Sequence, residues 1–407
     1  MLNTCQLKPF STQWRAWYLF LMLAVLCGCS KDKDPTPPKD YGPFLQQTVD
    51  RAVLGDPRVQ NATLMVESPK LSLRWKGASG LADPSTGTAM KPDQPFRSAS
   101  IGKTTLSALV LKLSEEGKLS LDDKLERHLP GAIIDDIHVL NGVSYGRNIT
   151  LRQLLNHTSG IGDYLFEFVD EADKADGLPR MFNLILADPD KFWTPIETIN
   201  FYKENLKPHF APGTGWNYTD TEYQLLGLVV EKVTGMPLYQ AYRRWLFDPL
   251  QMRDTYMEFY EQPQGRAAVS HSFYQDIDIT NFRAISADWA GGGLITTTED
   301  LNKFMRAIVN NSYFSRPVTK QAMFDWVPID PNLPGWVAGT QYGLGIYKMT
   351  LAGEELIGHD GFYGSVVFYW PAQDAVITAT INQGEPSSVY RYVNQAILAP
   401  ILNELKK

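Results

Sequence analysis

A serine and a lysine three residues apart, Ser100 and Lys103, stand in the stretch PFRSASIGKTTLS where apolar periodicity begins. On a helix that spacing puts both side chains on one face, with the amine in reach of the hydroxyl. A serine hydroxyl is a weak nucleophile until a base takes its proton. A lysine becomes a base when burial or nearby positive charge lowers its pKa. The unpaired N–H groups of a helix N-terminus would also stabilise negative charge on an attacked carbonyl oxygen. Spacing alone decides little, because Ser30 and Lys33 repeat it in SKDKD. A capping serine followed by a solvated lysine would read the same way.

Two further segments add chemistry in a fixed order. APGTGWNYTDTEYQLLG places Tyr218, Thr219 and Asp220 in a polar loop before an apolar helix, and ELIGHDGFYGSVVFYWP places His359, Asp360 and Gly361 just before a strand. A phenol on the loop could relay a proton between Ser100 and a leaving group. A strand begun by a small residue could approach the nucleophile and offer a second backbone N–H to an oxyanion.

In this order the segments resemble the penicillin-recognising serine hydrolases: serine β-lactamases, D-alanyl-D-alanine carboxypeptidases, D-aminopeptidases and related esterases. Their elements are S-x-x-K, Y-x-N or S-x-N, and K-T-G or H-x-G. ITLRQLLNHTSG (149–160), APGTGWNYTDTEYQLLG (211–227) and AGGGLITTTEDLNKF (290–304) also look like this family, so the similarity runs over roughly residues 44–400. The resemblance implies Ser100 as acylated nucleophile, Lys103 as its proton acceptor and Tyr218 as general base or shuttle. The backbone N–H groups of Ser100 and Phe362 would form the oxyanion hole, with Asp220, His359 and Gly361 around the substrate and no cofactor. The implied substrate is a small molecule or peptide carrying an amide or ester carbonyl: a D-amino-acid peptide such as one derived from peptidoglycan, a β-lactam or a small ester.

Two positions depart from the family pattern. Asp220 stands where Asn is usual, and a carboxylate near Lys103 would favour the charged amine and weaken it as a base. Either Asp220 is turned away or bonded elsewhere, or Tyr218 takes more of the proton transfer. This departure motivates the alternative reading, a family member without catalysis that serves as a cell-surface binding or sensor protein. The second departure, Asp360 with bulky Phe362 and Tyr363, would narrow the cleft. His359 falls where many relatives have Lys, and the H-x-G form resembles the peptidase and esterase branches.

Rival sites carry less. Gly142-Val143-Ser144-Tyr145-Gly146 fits the G-x-S-x-G elbow, but the chain lacks the alternating strand and helix units that elbow requires. Tyr274-Gln275-Asp276 and Tyr392-Val393-Asn394 echo the second element, the first without the surrounding phrase and the second in a helical pattern after the third element. His157 reads as a structural loop residue. His128, His138, His209 and His271 have no ligand spacing, so no metal site is expected. Thr297, Thr298 and Asp300 read as caps of the helix that follows.

These residues need elements to hold them. Phe44, Leu45, Val49, Val53 and Leu54 recur at helical spacing, ATLMVE (62–67) and LSLRW (71–75) read as a hairpin, and residues 101–289 are mainly helical in pattern. Gly117, Gly160 and Gly235 read as helix stops. Strand patterns return at 365–370 and 375–382, and a helical segment closes the chain. The expectation is an α+β (mixed α/β) fold: an antiparallel sheet formed from both chain ends, flanking helices and an inserted, mainly helical subdomain.

The 407 residues are 44% apolar, enough for a large core, and the net charge of −7 argues against nucleic acid as a partner. Lys8 and Arg15 precede the apolar run WYLFLMLAVL, too short for a confident membrane span and followed by Cys27-Gly28-Cys29. That junction resembles the lipobox of bacterial lipoproteins. It implies a signal peptide over 1–28, lipid on Cys29, a Pro-rich tether over 29–40 and a hydrolase domain over 41–407. The expected location is the bacterial cell envelope, periplasmic or at the outer-membrane surface, with membrane contact through the lipid. All three cysteines lie at or before residue 29, so the domain has no disulfide framework.

Overall fold

The computed structural model describes residues 39–262, 267–331, 333, 335–384 and 389–407. The expected signal peptide, Cys29 and nearly all of the tether lie outside the described residues.

The run Ala375–Thr380 is buried at every position. Successive strand residues point to opposite faces, so both faces of its sheet must be covered. They are. The sheet has nine strands, with two-residue strands at its margins and six long ones in the interior. The long strands are β1 (Asn61–Ser68), β2 (Leu73–Asp83), β3 (Tyr347–Leu351), β4 (Glu354–Gly361), β5 (Ser365–Trp370) and β6 (Ala375–Thr380). Their order across the sheet is β3-β4-β5-β6-β1-β2, antiparallel throughout. The central seam pairs Thr63 with Thr380 and Glu67 with Val376, joining the two ends of the chain as expected.

One face carries Leu64, Val66, Phe368, Trp370 and Ile377 against helix α1 (Gly42–Leu54) and the C-terminal helical segment, which contributes Ile397, Ile401 and Leu402. The other carries Val367 and Val376 toward a larger core containing α2 (Ile101–Glu115), α3 (Asp220–Thr234) and α4 (Thr298–Val309). Helix α2 is buried almost all round, twelve residues from Ile101 to Leu113 being inaccessible. A helix apolar on every side belongs in an interior. This one carries the serine and lysine into the middle of the molecule.

Three expectations change. Strands β3 and β4 were not anticipated: their alternation, with Tyr347 and Met349 buried between the less buried Lys348 and Thr350, is diluted by charge. Their turn uses Ala352 at φ 52° before Gly353 at φ 82°, a geometry that usually announces itself as Asn-Gly. His359-Asp360-Gly361 therefore ends one strand as well as preceding the next. Gly117 and Gly235 follow helices in the left-handed conformation, but Gly160 lies beyond the end of Leu151–Leu155 and stops nothing. On α1, Leu45 and Val49 face the core while Leu54 is 83% exposed.

That contrast is testable by urea unfolding. Leu45→Ala should remove about 2–5 kcal/mol of stability. Leu54→Ala should change it by about 0.5 kcal/mol or less.

Candidate active site

Ser100 sits at the threshold of α2, where a capping side chain would be expected, yet its hydroxyl makes no cap hydrogen bond. Ala99 before it has φ 46°, turning the chain into the helix. Lys103, one turn on, is completely buried. Both halves of the bland reading, a capping serine and a solvated lysine, are excluded. The Lys103 Nζ lies 3.1 Å from Ser100 Oγ, 2.5 Å from Asp220 Oδ1 and 3.2 Å from the Gly291 carbonyl oxygen. Three acceptors match the three N–H bonds of an ammonium. The Tyr218 and Tyr223 rings stand 4.9 and 5.5 Å from the same nitrogen.

Thr219 caps α3 by accepting the Thr221 N–H, so Asp220 is the first helical residue and Tyr218 remains in the preceding loop. The Asp220 N–H donates to Asp163 Oδ1 at 3.1 Å. Asp220 is thus turned toward Lys103, and of the sequence alternatives the one with this carboxylate pointing away is overturned. Gly291 lets the helix start and the AGGG segment meet, since a Cβ there would lie 2.4 Å from Asp220 Oδ1. Burial followed by the Asp220 charge raises the pKa of the Tyr218 phenol well above its ordinary value, against a lowering influence of the Ser100 side chain, so it stays protonated.

His359 is held in a chain of buried groups. Burial raises the Glu222 pKa and lowers those of His157 and His359, the last to about 3, which fixes the protons. The protonated Glu222 carboxyl donates to His157 Nδ1 across 2.5 Å, an atom that also accepts the Thr219 N–H at 3.4 Å. His157 Nε2–H donates to the Tyr342 hydroxyl at 3.2 Å, and that hydroxyl donates to His359 Nε2 at 3.0 Å. His359 Nδ1–H ends the chain on the Asp360 carbonyl oxygen at 2.6 Å. The His157 ring also packs on Tyr218, centroids 4.5 Å apart. His157, read from sequence as structural, thus contacts the candidate shuttle. Nothing in sequence linked it to Glu222 or Tyr342, which are 65 and 185 residues away.

Gly361 allows β4 to close on the nucleophile segment, because a Cβ there would sit 2.3 Å from the Ser98 carbonyl oxygen. The next residue, Phe362, lines a cleft together with Ser100 and Asp220. Among the described residues, neither the Ser100 nor the Phe362 N–H has a hydrogen-bond partner. Phe166, Phe182, Tyr274 and Tyr363 supply aromatic wall, Ile185 and Ile285 aliphatic wall, and Asp288 a second carboxylate. No Lys or Arg is among the lining residues. Phe362 fills space as expected, stacking on Tyr274 at 6.1 Å. Asp360 instead accepts the Tyr347 hydroxyl at 2.7 Å.

The rivals lie elsewhere or act otherwise. Ser144 is exposed on a two-residue strand and donates to the Asp135 carbonyl oxygen. Tyr392 donates to the Ala52 carbonyl oxygen. Tyr274 is cleft wall. His128, His138, His209 and His271 pair with Asp123, Phe210, Glu167 and Asp278 respectively. No cluster of metal-ligating residues is found among the described residues. Thr297 caps α4 by accepting the Asp300 N–H.

A buried Ser-x-x-Lys at a helix start, a tyrosine loop against it and an antiparallel strand edge define a scaffold of the penicillin-recognising class. The family model described as Beta-lactamase matches residues 56–399, and the chain belongs to that family. Esterase EstB of Burkholderia gladioli is 34% identical over 183 residues, covering 44% of this chain and 43% of the relative. Penicillin-binding protein 4* of Bacillus subtilis (strain 168) is 25% identical over 292 residues, covering 68% and 58%. The chain thus spans roughly half the length of these curated relatives. Among solved structures, a D-stereospecific amidohydrolase from Streptomyces sp. has a TM-score of 0.71 at 27% identity, over 88% of this chain and 99% of that one. The D-amino acid amidase from Ochrobactrum anthropi SV3, complexed with D-phenylalanine, shares the fold with a TM-score of 0.73 at 23% identity, covering 89% and 98%.

The neutral buried His359 has a thermodynamic consequence. Its folded pKa of about 3 lies below the value near 6.5 of an unfolded histidine. Below pH 6.5 the unfolded chain takes up a proton that the fold refuses, so this residue's contribution to stability falls with pH until about pH 3. Urea unfolding at pH 7 and pH 5 should therefore show His359→Asn losing about 2 kcal/mol less than the wild type over that interval. Equal losses would show that His359 is charged in the folded protein.

Proposed function

We propose that this protein is a serine hydrolase that transfers the acyl group of an amide or ester to Ser100 and then to water. The observation that carries the reading is Lys103 Nζ, 3.1 Å from Ser100 Oγ at the floor of a cleft. Ser100 Oγ attacks the carbonyl carbon, and the two unpartnered N–H groups of Ser100 and Phe362 receive the oxyanion. With all three of its N–H bonds engaged, the Lys103 ammonium must release a proton before it can accept one. Asp220 Oδ1, at 2.5 Å, is the acceptor at hand. A proton shift onto Asp220 leaves a neutral amine that takes the Ser100 proton as the acyl bond forms. Tyr218, protonated and with its ring 4.9 Å from Lys103 Nζ, is the donor for the leaving nitrogen or oxygen. Water repeats the sequence in reverse to free the acid.

Substrates lacking a terminal carboxylate fit best, because the Lys103 charge is matched by Asp220, no Lys or Arg is among the residues lining the cleft and His359 is neutral. The esterase and the D-stereospecific amidohydrolase among the similar proteins support amides and esters as substrates. These relatives do not favour the alternative of a binding protein without turnover. The proposal extends to the cell envelope, with the chain exported and held by lipid at Cys29. Palmitate labelling and recovery in the membrane fraction should both be lost in Cys29→Ser.

A fluorophosphonate should label the purified protein once, at Ser100, and Ser100→Ala should abolish the label. Tyr218→Phe should lower kcat for a short-chain ester by about 10²–10⁴-fold. Label on Ser144, or none at all, would refute the assignment.

A further inference from the structure

The cleft beside Ser100 is apolar apart from two carboxylates, and these are unlike each other. Asp220 is matched by Lys103 at 2.5 Å. The Asp288 side chain has no hydrogen-bond partner or ion pair among the described residues, although it lines the cleft with Leu165, Phe182, Ile285 and Phe362. Arg97, whose charge is felt at Asp288, gives Nε and Nη2 to Glu258 at 2.9 and 2.7 Å and Nη2 to the Thr280 carbonyl oxygen. An unpaired carboxylate against aromatic walls is costly, and it contributes nothing to the fold that a leucine would not contribute better. The backbone is strained beside it: Trp289 has φ 26° and ψ −104°, a region bulky residues avoid.

We infer that Asp288 is a specificity residue that binds a protonated amine on the acyl part of the substrate, whose large apolar side chain fills the aromatic pocket. The acyl group stays esterified to Ser100 while the leaving group departs, so the walled side of the cleft must hold the acyl side. An amine there meets a carboxylate whose side chain holds no hydrogen bond, while the nearby Lys103 and Arg97 are bonded to Asp220 and Glu258. The substrate class is then amides or esters of bulky apolar amino acids with a free amino group. Burial, then the Asp220 charge, raises the Asp288 pKa to about 7, so the empty cleft carries this carboxyl partly protonated and an arriving ammonium ionises it. The inference rests on the serine hydrolase reading and narrows it.

Protection of Ser100 from fluorophosphonate labelling separates the two. Phenylalaninamide, in each enantiomer, is compared with 3-phenylpropanamide, which lacks only the amine. In the wild type one enantiomer should give half-protection at a concentration about tenfold or more below that of the desamino compound. In Asp288→Asn the two concentrations should converge, and Asp288→Glu should retain a preference for the amine. Equal protection in the wild type would overturn the inference while leaving the hydrolase reading intact, as would a preference that survives in Asp288→Asn. If Ser100 of the wild type takes no label, both fall.

Discussion

The site is organised by one interaction, the ion pair of Lys103 with Asp220 in the interior beside Ser100. A lysine nitrogen with no exposed surface is tolerated only when its charge is met by hydrogen bonds. Here it meets a carboxylate, a backbone carbonyl and the nucleophile itself. Each acceptor comes from a different part of the chain: the helix carrying Ser100, the start of α3 and the glycine-rich segment before α4. The lysine therefore pins three elements to one point. Removing either partner of such a buried pair costs about 3–5 kcal/mol, because the other is left uncompensated. Structure and chemistry share this pair, and a substitution that frees the amine for catalysis also loosens the junction.

A second set of buried groups joins the junction to the sheet. Glu222, His157, Tyr342 and His359 donate in one direction from α3 to β4. With burial favouring the neutral forms of Glu222, His157 and His359, the run adds no field of its own next to Ser100. Its role is placement. His157 packs on Tyr218 and His359 lies 6.2 Å from the same ring, so the phenol is held between the helical layer and the strand edge.

Legibility in the sequence followed the range of the interactions. The Ser100–Lys103 pair is local to one helical turn, and Tyr218 and Asp220 sit at a capped helix start, so short-range patterns read in their order along the chain exposed them. Strands with both faces covered, such as Ala375–Thr380, announced themselves as apolar runs. Strands β3 and β4 did not, because exposed charges interrupt them and Ala352 takes the place of a turn former. The orientation of Asp220 depended on an approach to Gly291 that no local pattern encodes. His157 and Asp288 were missed for the same reason: one gains its role from a glutamate in α3 and a tyrosine on a distant strand, the other from facing a cleft built by segments far apart in sequence.

The same reasoning bears on why a carboxylate at position 220 is compatible with turnover. An asparagine there could hydrogen-bond the amine but could not take a proton from it. A carboxylate can, and in a dry interior the neutral pair, amine with carboxylic acid, avoids the solvation that the ionic pair demands. The geometry at 2.5 Å lets the proton cross without moving heavy atoms. In the proposed mechanism Asp220 would both hold the lysine at rest and offer the route by which it becomes a base. An arriving ammonium at Asp288 would lower the cost of negative charge throughout the cleft, including the oxyanion between the Ser100 and Phe362 N–H groups. Substrate recognition and activation of the nucleophile would then be coupled by charge rather than by movement of the fold.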